Sequence, residues 1–587
     1  MIKLKAPAPP VNVAEWRKLS HIAKIRPLAV RWAEYGTDTP GFIHLFYVAK
    51  MALYIWGGYA IIAATPGFTG DISTWWHEPV VYQKIIVYTC LVELLGLGQS
   101  TGPMCFKFLP PFTAVLHWGR TGTLRQPPWP KQVPGTDGDT RGVVDMALYW
   151  VVIGLLVTML IGGGPATAAD PKAGLAPEWA IIAFLVALIL LGLRDKVVWV
   201  GARPDVYVWA LALFLFPYEQ MMAGLKLAIC LIWLCAGASK FTRHFTTVVS
   251  VMTSNAPARP KWFKRAMYRR FPDDLRPSNF AHVVAHSGTV IEIGAPLLLL
   301  VMGPEHPWLI AAAVGSLLLL HVVITSHVPV AVPNEWNLYM MAGAVWLFWT
   351  HREASMAGLL HPGLIAFFLV AWAFPVIYGS IRPDRICFIL AMRYYAGNWP
   401  ASVWCFRGDA VNKVSANVPK ASGLMHEQLE TLYDAEFAEI ANHKFRTWRS
   451  MHIQGRAING LLARGLDSAD NYFTIEGELM SSSLNGWNMG DGHMHNMQML
   501  ESVQKRCNFA PGELVVIMIE SQPWFRKDIA YRIVDAATGT IEAGRVKVDD
   551  IIDRQPWDET PLPVEIDGSV HVGGGGAVDA RPVGALQ

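Results

Sequence analysis

Residues 281–302 read AHVVAHSGTVIEIGAPLLLLVM, with two histidines and one glutamate as the ionisable groups of an otherwise apolar run. At about 1.5 Å per residue such a run covers roughly 30 Å of hydrocarbon, enough to cross a bilayer as one helix. An ionisable group inside a spanning helix is expensive, and so is a functional candidate. His282 and His286, four residues apart, stack on one helical face about 6 Å from each other. Glu292 lies about 120° round the helix from His286 at 3.6 residues per turn. Pro296 removes a backbone donor one turn later.

Nine comparable apolar runs surround this one: Phe42–Ala64, Val80–Gly98, Val143–Gly162, Trp179–Leu193, Val206–Phe216, Met221–Ala238, Trp308–Thr325, Trp336–Trp349 and Leu364–Ser380 complete the set with Ala281–Met302. The expectation is a membrane all-α bundle of nine to ten spans, because Val206–Phe216 is too short to cross without its flanks or a thinner bilayer. Lys and Arg concentrate in the N-terminus, Gln99–Arg141, Arg194–Arg203, Lys240–Arg276 and after Arg382, whereas the alternate loops are acidic or neutral. The positive-inside rule then places both termini in the cytoplasm of a plasma-membrane protein, and a re-entrant Val206–Phe216 inverts everything after it.

The whole chain of 587 residues is 52% apolar and 16% charged with mean hydropathy +0.29, which excludes a disordered chain, a fibrous repeat and an ordinary soluble enzyme. Its net charge of +3 is a cancellation. Residues 401–587 hold 17 Lys and Arg against 25 Asp and Glu, leaving 32 and 21 for residues 1–400. The chain therefore divides into a basic N-terminal segment (1–41), a transmembrane domain (42–393), an acidic soluble α+β domain (394–570) and a Gly-rich tail (571–587). No basic patch with interleaved aromatics points to nucleic acid. Seven cysteines without CxxC spacing indicate neither a disulfide framework nor a zinc ribbon. The basic N-terminus lacks the apolar core and cleavage site of a signal peptide.

In the soluble domain, 3.6-residue periodicity predicts helices over Ser422–Ala441 and His443–Ala463, and β-branched runs predict strands at Tyr472–Met480, Leu514–Ile519, Ile529–Val534 and Ile541–Val548. Thr538–Gly539 supplies a hairpin turn, and Asp491 is placed to cap a helix reaching Arg506.

Lys240 follows the small-residue stretch Ala236-Gly237-Ala238-Ser239. Small residues let helices approach closely, and a lysine desolvated in such a contact has a lowered pKa and can act as a base. The alternative is a snorkelling interfacial lysine. His282, His286, His321 and Glu292 together make up a metal-ligand set on paper, against polar contacts between helices. Glu93 and Asp145 are further intramembrane acids, for which Lys226 is a candidate partner. In the soluble domain His493 and His495 point about 200° apart at a helix start, which suits a metal poorly. No GxSxG, HExxH or phosphate-loop spacing occurs, which removes those hydrolases and P-loop ATPases.

Ala236-Gly237-Ala238-Ser239-Lys240 resembles the helix end that carries the lysine of vitamin-K-dependent gamma-carboxylases and the wider horizontally transferred transmembrane (HTTM) family. Glu292 with Pro296 in TVIEIGAPLLLL, and His321 in LLLLHVVI, resemble two later helices of that family. The likeness covers about Lys226–Phe348, and the chain departs from the carboxylases at His244-Phe245, where they carry a tryptophan. The resemblance implies Lys240 as the base toward a reduced quinone, with His286, Glu292 and His321 orienting or relaying the proton. The chain as a whole, with its Gln99–Arg141 loop and its RYYAGNW entrance to the soluble domain, resembles an uncharacterised actinobacterial transmembrane family.

Two functions follow as expectations. One is a membrane-embedded enzyme acting on a lipophilic substrate through Lys240. The other is a non-enzymatic lipid carrier or envelope-assembly scaffold, contacting membrane lipids and docking a cytoplasmic protein through its C-terminal domain.

Overall fold

A backbone surrounded by hydrocarbon must satisfy its own N–H and C=O groups, so apolar runs of spanning length become helices. The computed structural model, which describes residues 11–37, 41–98, 113–327, 334–394, 396–487 and 492–567, bears this out in part. Among the described residues six helices are long and apolar enough to cross: His44–Ala63, Val143–Ile161, Tyr218–Ser239, Asn279–Val301, Pro307–Thr325 and Pro362–Ile381.

The expected nine to ten spans are thereby corrected to six. The Pro79–Leu94 helix has 16 residues, 14 of them buried, so it sits inside the bundle more than against lipid. Glu178–Arg194 has 17 residues and ends where Asp195 leaves the helix to cap the next one through Val197 N–H. Asn334–Ala344 continues only to Thr350 as a wider turn. The short fifth run is a buried composite, Pro204–Leu215, which rises about 18 Å, too little to cross.

The N-terminal helices Val13–Arg17 and Ile25–Tyr35 pack against the Ala435–Ser450 helix of the sheet region. Trp16, Leu28 and Ile440 form a small apolar cluster there, flanked by Arg17 donating to Glu439 at 2.8 Å. The N-terminal helices and the sheet domain, at opposite ends of the membrane half in sequence, therefore lie together in space. The basic N-terminal segment is thus a structural part of the acidic domain rather than a free arm.

Outside the membrane helices a short hairpin, β1 (Tyr268–Arg270) and β2 (Asp274–Pro277), precedes the main sheet. That sheet comprises β3 (Ala401–Arg407), β4 (Tyr472–Glu476), β5 (Leu514–Ile519), β6 (Asp528–Asp535), β7 (Gly539–Lys547) and β8 (Glu565–Ile566), antiparallel in the order β4-β3-β5-β6-β7-β8. Alternation puts Val403, Cys405, Val515 and Ile517 on one face, against Ile458 and Leu461. It puts Trp404, Phe406, Leu514 and Val516 on the other, against Val414 and Val503. Both faces of β5 are covered, which is why its sequence is an uninterrupted apolar run.

Strand β5 and the β6–β7 hairpin match the expectation, with Asp535 pairing Gly539 across the turn. The helical region differs. Three helices, Met425–Leu432, Ala435–Ser450 and Ile453–Gly465, replace two. Asp434 caps the second by accepting from Phe437 N–H at 2.8 Å, which forces a break inside Ser422–Ala441. The expected Tyr472–Met480 strand stops at Glu476, whose carboxylate caps the Gly477–Asn485 helix. Asp491 lies outside the described residues, and the helix ending at Cys507 is capped by Asn496.

Sheet domain and membrane half share a core. Trp487 and Met494 belong to the apolar cluster of the bundle, and Trp118 Nε1 donates to Asn485 O at 2.8 Å. Arg506 pairs with Asp139 at 2.6 Å.

One loop of the sheet ends beside an apolar helix of spanning length. Trp524 N–H donates to Ser380 O at 2.8 Å, beside the end of the Pro362–Ile381 helix, and the next residue, Phe525, is 94% exposed. An exposed aromatic at the end of a span belongs in the interfacial layer. An environment-sensitive fluorophore on a cysteine at Phe525 is therefore expected to report an apolar setting in lipid nanodiscs, and one at exposed Thr538 to report water. Equal, water-like emission at both sites would refute the insertion of this loop.

Candidate functional site

The Tyr218–Ser239 helix begins after Pro217 and ends at Lys240, its C-cap residue. The last turn carries Gly237, where an added Cβ would fall 2.8 Å from Ile293 and 3.2 Å from Glu292. That missing side chain lets this helix lie against Asn279–Val301, and the close approach delivers Lys240 to Glu292, fifty-two positions later in the chain.

The Lys240 ammonium donates to both carboxylate oxygens of Glu292. The two side chains are 8% and 7% exposed, and the Phe245 ring lies 5.2 Å from the ammonium. The pair is set in the wall of a cavity of about 150 Å³. Its body is apolar and aromatic, including Val248, Val284, Leu320 and Trp336, while Arg259, His327 and Tyr394 add polar atoms. Two other clefts, of about 450 and 390 Å³, are lined without any Lys, Arg, His, Asp or Glu. Size therefore does not single out the Lys240 cavity; its charges do.

The other expected site residues separate. His321 is buried and fully engaged: Trp233 Nε1 donates to its Nε2 at 2.9 Å, and its Nδ1 lies 2.7 Å from Asn337 Oδ1. An indole N–H can only donate, so Nε2 carries the lone pair and Nδ1–H donates to Asn337. This histidine holds three helices in register. His286 turns away from Glu292, as the helical angle requires, and packs against Phe241, Phe245 and His282; it is absent from the cavity wall. His282 binds Thr246 Oγ1 at 2.9 Å. Among the described residues no group of three or more His, Cys, Asp or Glu is placed to hold a metal.

The remaining intramembrane charges have their own partners. Lys226 donates to Ala354 O at 2.7 Å and pairs with neither Glu93 nor Glu292. Asp145 is held by Arg194 at 2.6 Å and Arg125 at 3.2 Å. Glu93 is fully buried against Gly98, where an added Cβ would sit 2.3 Å from a carboxylate oxygen. Lys50 meets Glu335 at 3.0 Å, a pair that sequence spacing does not reveal. Arg203 holds Asp205 at 2.8 Å, and the Tyr394 hydroxyl donates to the same carboxylate. Tyr394 also lines the Lys240 cavity and so ties it to that ion pair.

In the sheet domain, His493 and His495 go to different partners. His493 Nε2 is 3.6 Å from Glu520. His495 is buried with its Nδ1 2.7 Å from Ser402 Oγ, against Gly477, where a Cβ would intrude to 2.1 Å from that oxygen. Burial, with Arg449 and His493 nearby, pushes the His495 pKa down to about 3. It is a packed core pair, not a metal arm.

Fold and site together define a polytopic membrane protein with a sheet domain locked onto it and a charged cavity in its bundle. Residues 1–567 match the family described as transmembrane protein of unknown function (DUF3556), and the chain belongs to that family. No curated protein and no solved structure matches the chain.

Proposed function

We propose that the protein binds a lipophilic molecule in the Lys240–Glu292 cavity and carries out acid–base chemistry on it, as a membrane-embedded enzyme similar to gamma-carboxylase-like proteins. The observation that carries this reading is the buried Lys–Glu pair in the wall of a largely apolar and aromatic cavity. Within it an electrostatic interaction is worth several times its value in water. The geometry favours a division of roles. Glu292 is the proton acceptor for a weakly acidic hydroxyl: the O–H bond breaks, the proton passes to the carboxylate, and the electron pair stays on the substrate oxygen beside the Lys240 ammonium, which stabilises it. Lys240 then acts through its charge more than as a neutral base. His321 positions the helices around the cavity, and His286 supports the Lys240 turn through Phe241 and Phe245. The aromatic lining of Phe245, Trp336 and Tyr394 suits a ring such as that of a reduced quinone, whose hydroxyl would be the acidic group.

The second reading, a lipid carrier or envelope scaffold, is favoured by one observation: both ring nitrogens of His321 are committed, so it is not free to relay a proton. In either reading the N-terminal segment and the sheet domain, which pack on each other, share one side of the membrane, where the sheet domain can receive a protein partner.

The test is mass spectrometry of lipids extracted from protein purified in mild detergent, wild type against Lys240→Ala. A quinone-like or prenyl lipid held by the wild type, and accumulating unconverted in the variant, is the expected result. Bulk phospholipid alone in both preparations overturns the enzyme reading.

A further inference from the structure

The Lys240 cavity has a second polar end. Its wall along the Asn279–Val301 helix runs through Val284, Gly288 and Glu292, about 12 Å of helix axis. Phe263, also in the wall, packs on Phe280 with ring centroids 5.1 Å apart, which fixes that end of the cavity at the helix N-terminus, about 18 Å along the axis from Glu292. Arg259 sits there, stacked on Phe263 at 5.1 Å.

Among the described residues Arg259 has no carboxylate partner, and Glu292, already engaged by Lys240, is the one acid in the wall. A half-buried guanidinium at the mouth of an apolar cavity, without a carboxylate of its own, can pair with an acidic group that enters there. Next to it His327 Nδ1 lies 2.7 Å from Val323 O, so Nδ1–H donates there and Nε2 is left as an acceptor. Burial, together with Arg259 and Lys264, lowers the His327 pKa and keeps that acceptor available. Lys264 is turned aside, donating to Ser254 O at 2.8 Å.

Building on the reading of the cavity as a lipophile site, we infer that its ligand is an amphiphile with a single apolar chain and an acidic headgroup, a carboxylate or a phosphate monoester. The chain lies along the Val284–Glu292 face and the headgroup sits at Arg259, with a headgroup hydroxyl able to donate to His327 Nε2. The end of the molecule at Lys240 and Glu292, opposite the headgroup, then carries the hydroxyl whose proton passes to Glu292. The enzyme measures its substrate between two charges rather than gripping it at one.

The inference is tested on the full chain in mild detergent with cis-parinaric acid, a fluorescent fatty acid, and its methyl ester. The acid is expected to bind at least about tenfold tighter than the ester, the scale of a charge-assisted contact. Arg259→Gln is expected to erase that preference and leave ester binding unchanged, and Arg259→Lys to keep most of it. Gly288→Leu fills the cavity; an added Cβ there meets only Leu320 at 3.8 Å, so the variant is expected to fold and to lose both probes. Competition by lysophosphatidic acid against a second fatty acid tells which acidic head is preferred. Inorganic phosphate displacing parinaric acid as well as lysophosphatidic acid does would mark an ion site without a chain and overturn the inference. Equal affinity for acid and ester in the wild type overturns the headgroup assignment while leaving the lipophile reading intact. Binding that survives Gly288→Leu, or no binding of either probe, overturns the lipophile reading itself.

Discussion

Replacing Lys240 or Glu292 alone is expected to destabilise the membrane half by about 3–5 kcal/mol, the cost of leaving one buried charge without its partner. Lys240→Met with Glu292→Leu in the same chain is expected to recover most of that loss. Two buried charges are taken from water at a cost close to what their attraction returns, so an apolar pair of similar volume is nearly neutral. Thermal unfolding in detergent of the four proteins of this double-mutant cycle measures the difference. Single variants as stable as wild type would mean that the pair is solvated, contrary to its 8% and 7% exposure. The cycle also separates stability from chemistry, because a stable double variant without turnover assigns the pair to the reaction and not merely to the fold.

The second large effect is acid sensitivity of the sheet domain. His21, His452 and His495 are buried and His443 is partly so, and desolvation drives each pKa from 6.5 down to about 3, with Arg446 adding to the effect at His21 and Arg449 at His452 and His495. The folded form keeps them neutral while the unfolded chain protonates them below pH 6.5. Their contribution is thus intact above that pH and is lost as the pH falls from about 6.5 toward 3. Each histidine accounts for up to about 1.4 kcal/mol per pH unit in that window, roughly 5 for the four together. His21 and His443 lie 5.7 Å apart, so the first of the two to protonate further discourages the second. Unfolding temperatures measured from pH 8 to pH 5 are expected to hold level and then drop steeply, with His452→Gln shallower by about one proton's worth. A level profile down to pH 5 would refute the burial of these rings.

Much of the membrane half was legible because hydropathy over twenty residues is a strong signal. The excess spans arose where apolar residues were buried by protein rather than lipid: Pro79–Leu94 reads as a crossing helix yet has 14 of its 16 residues buried within the protein. In the sheet domain the central strand β3 escaped notice because seven residues, ASVWCFR, directly after Pro400 carry little alternation, and their partners β4 and β5 lie far along the chain. Lys240 and Glu292 were both visible as costly intramembrane charges, and the AGAS stretch hinted at a close helix contact. Which helix would make that contact is a tertiary fact, absent from local spacing. Arg259 carried no signal at all, lying in a basic loop among other arginines, and only the packing of Phe263 on Phe280 turns it toward the cavity.

The clasp between Arg17 and Glu439 closes a loop of 422 residues. The N-terminal helices leave the ribosome 422 residues ahead of the helix they lean on. At roughly 5–20 residues per second of synthesis, Trp16 and Leu28 wait on the order of half a minute or more with their apolar faces uncovered. During that interval the membrane helices between them must be inserted, and an arrangement that holds the two partners apart leaves the clasp unmade. The clasp is therefore a checkpoint for biogenesis as well as a contact: only a chain whose threading is correct can close it.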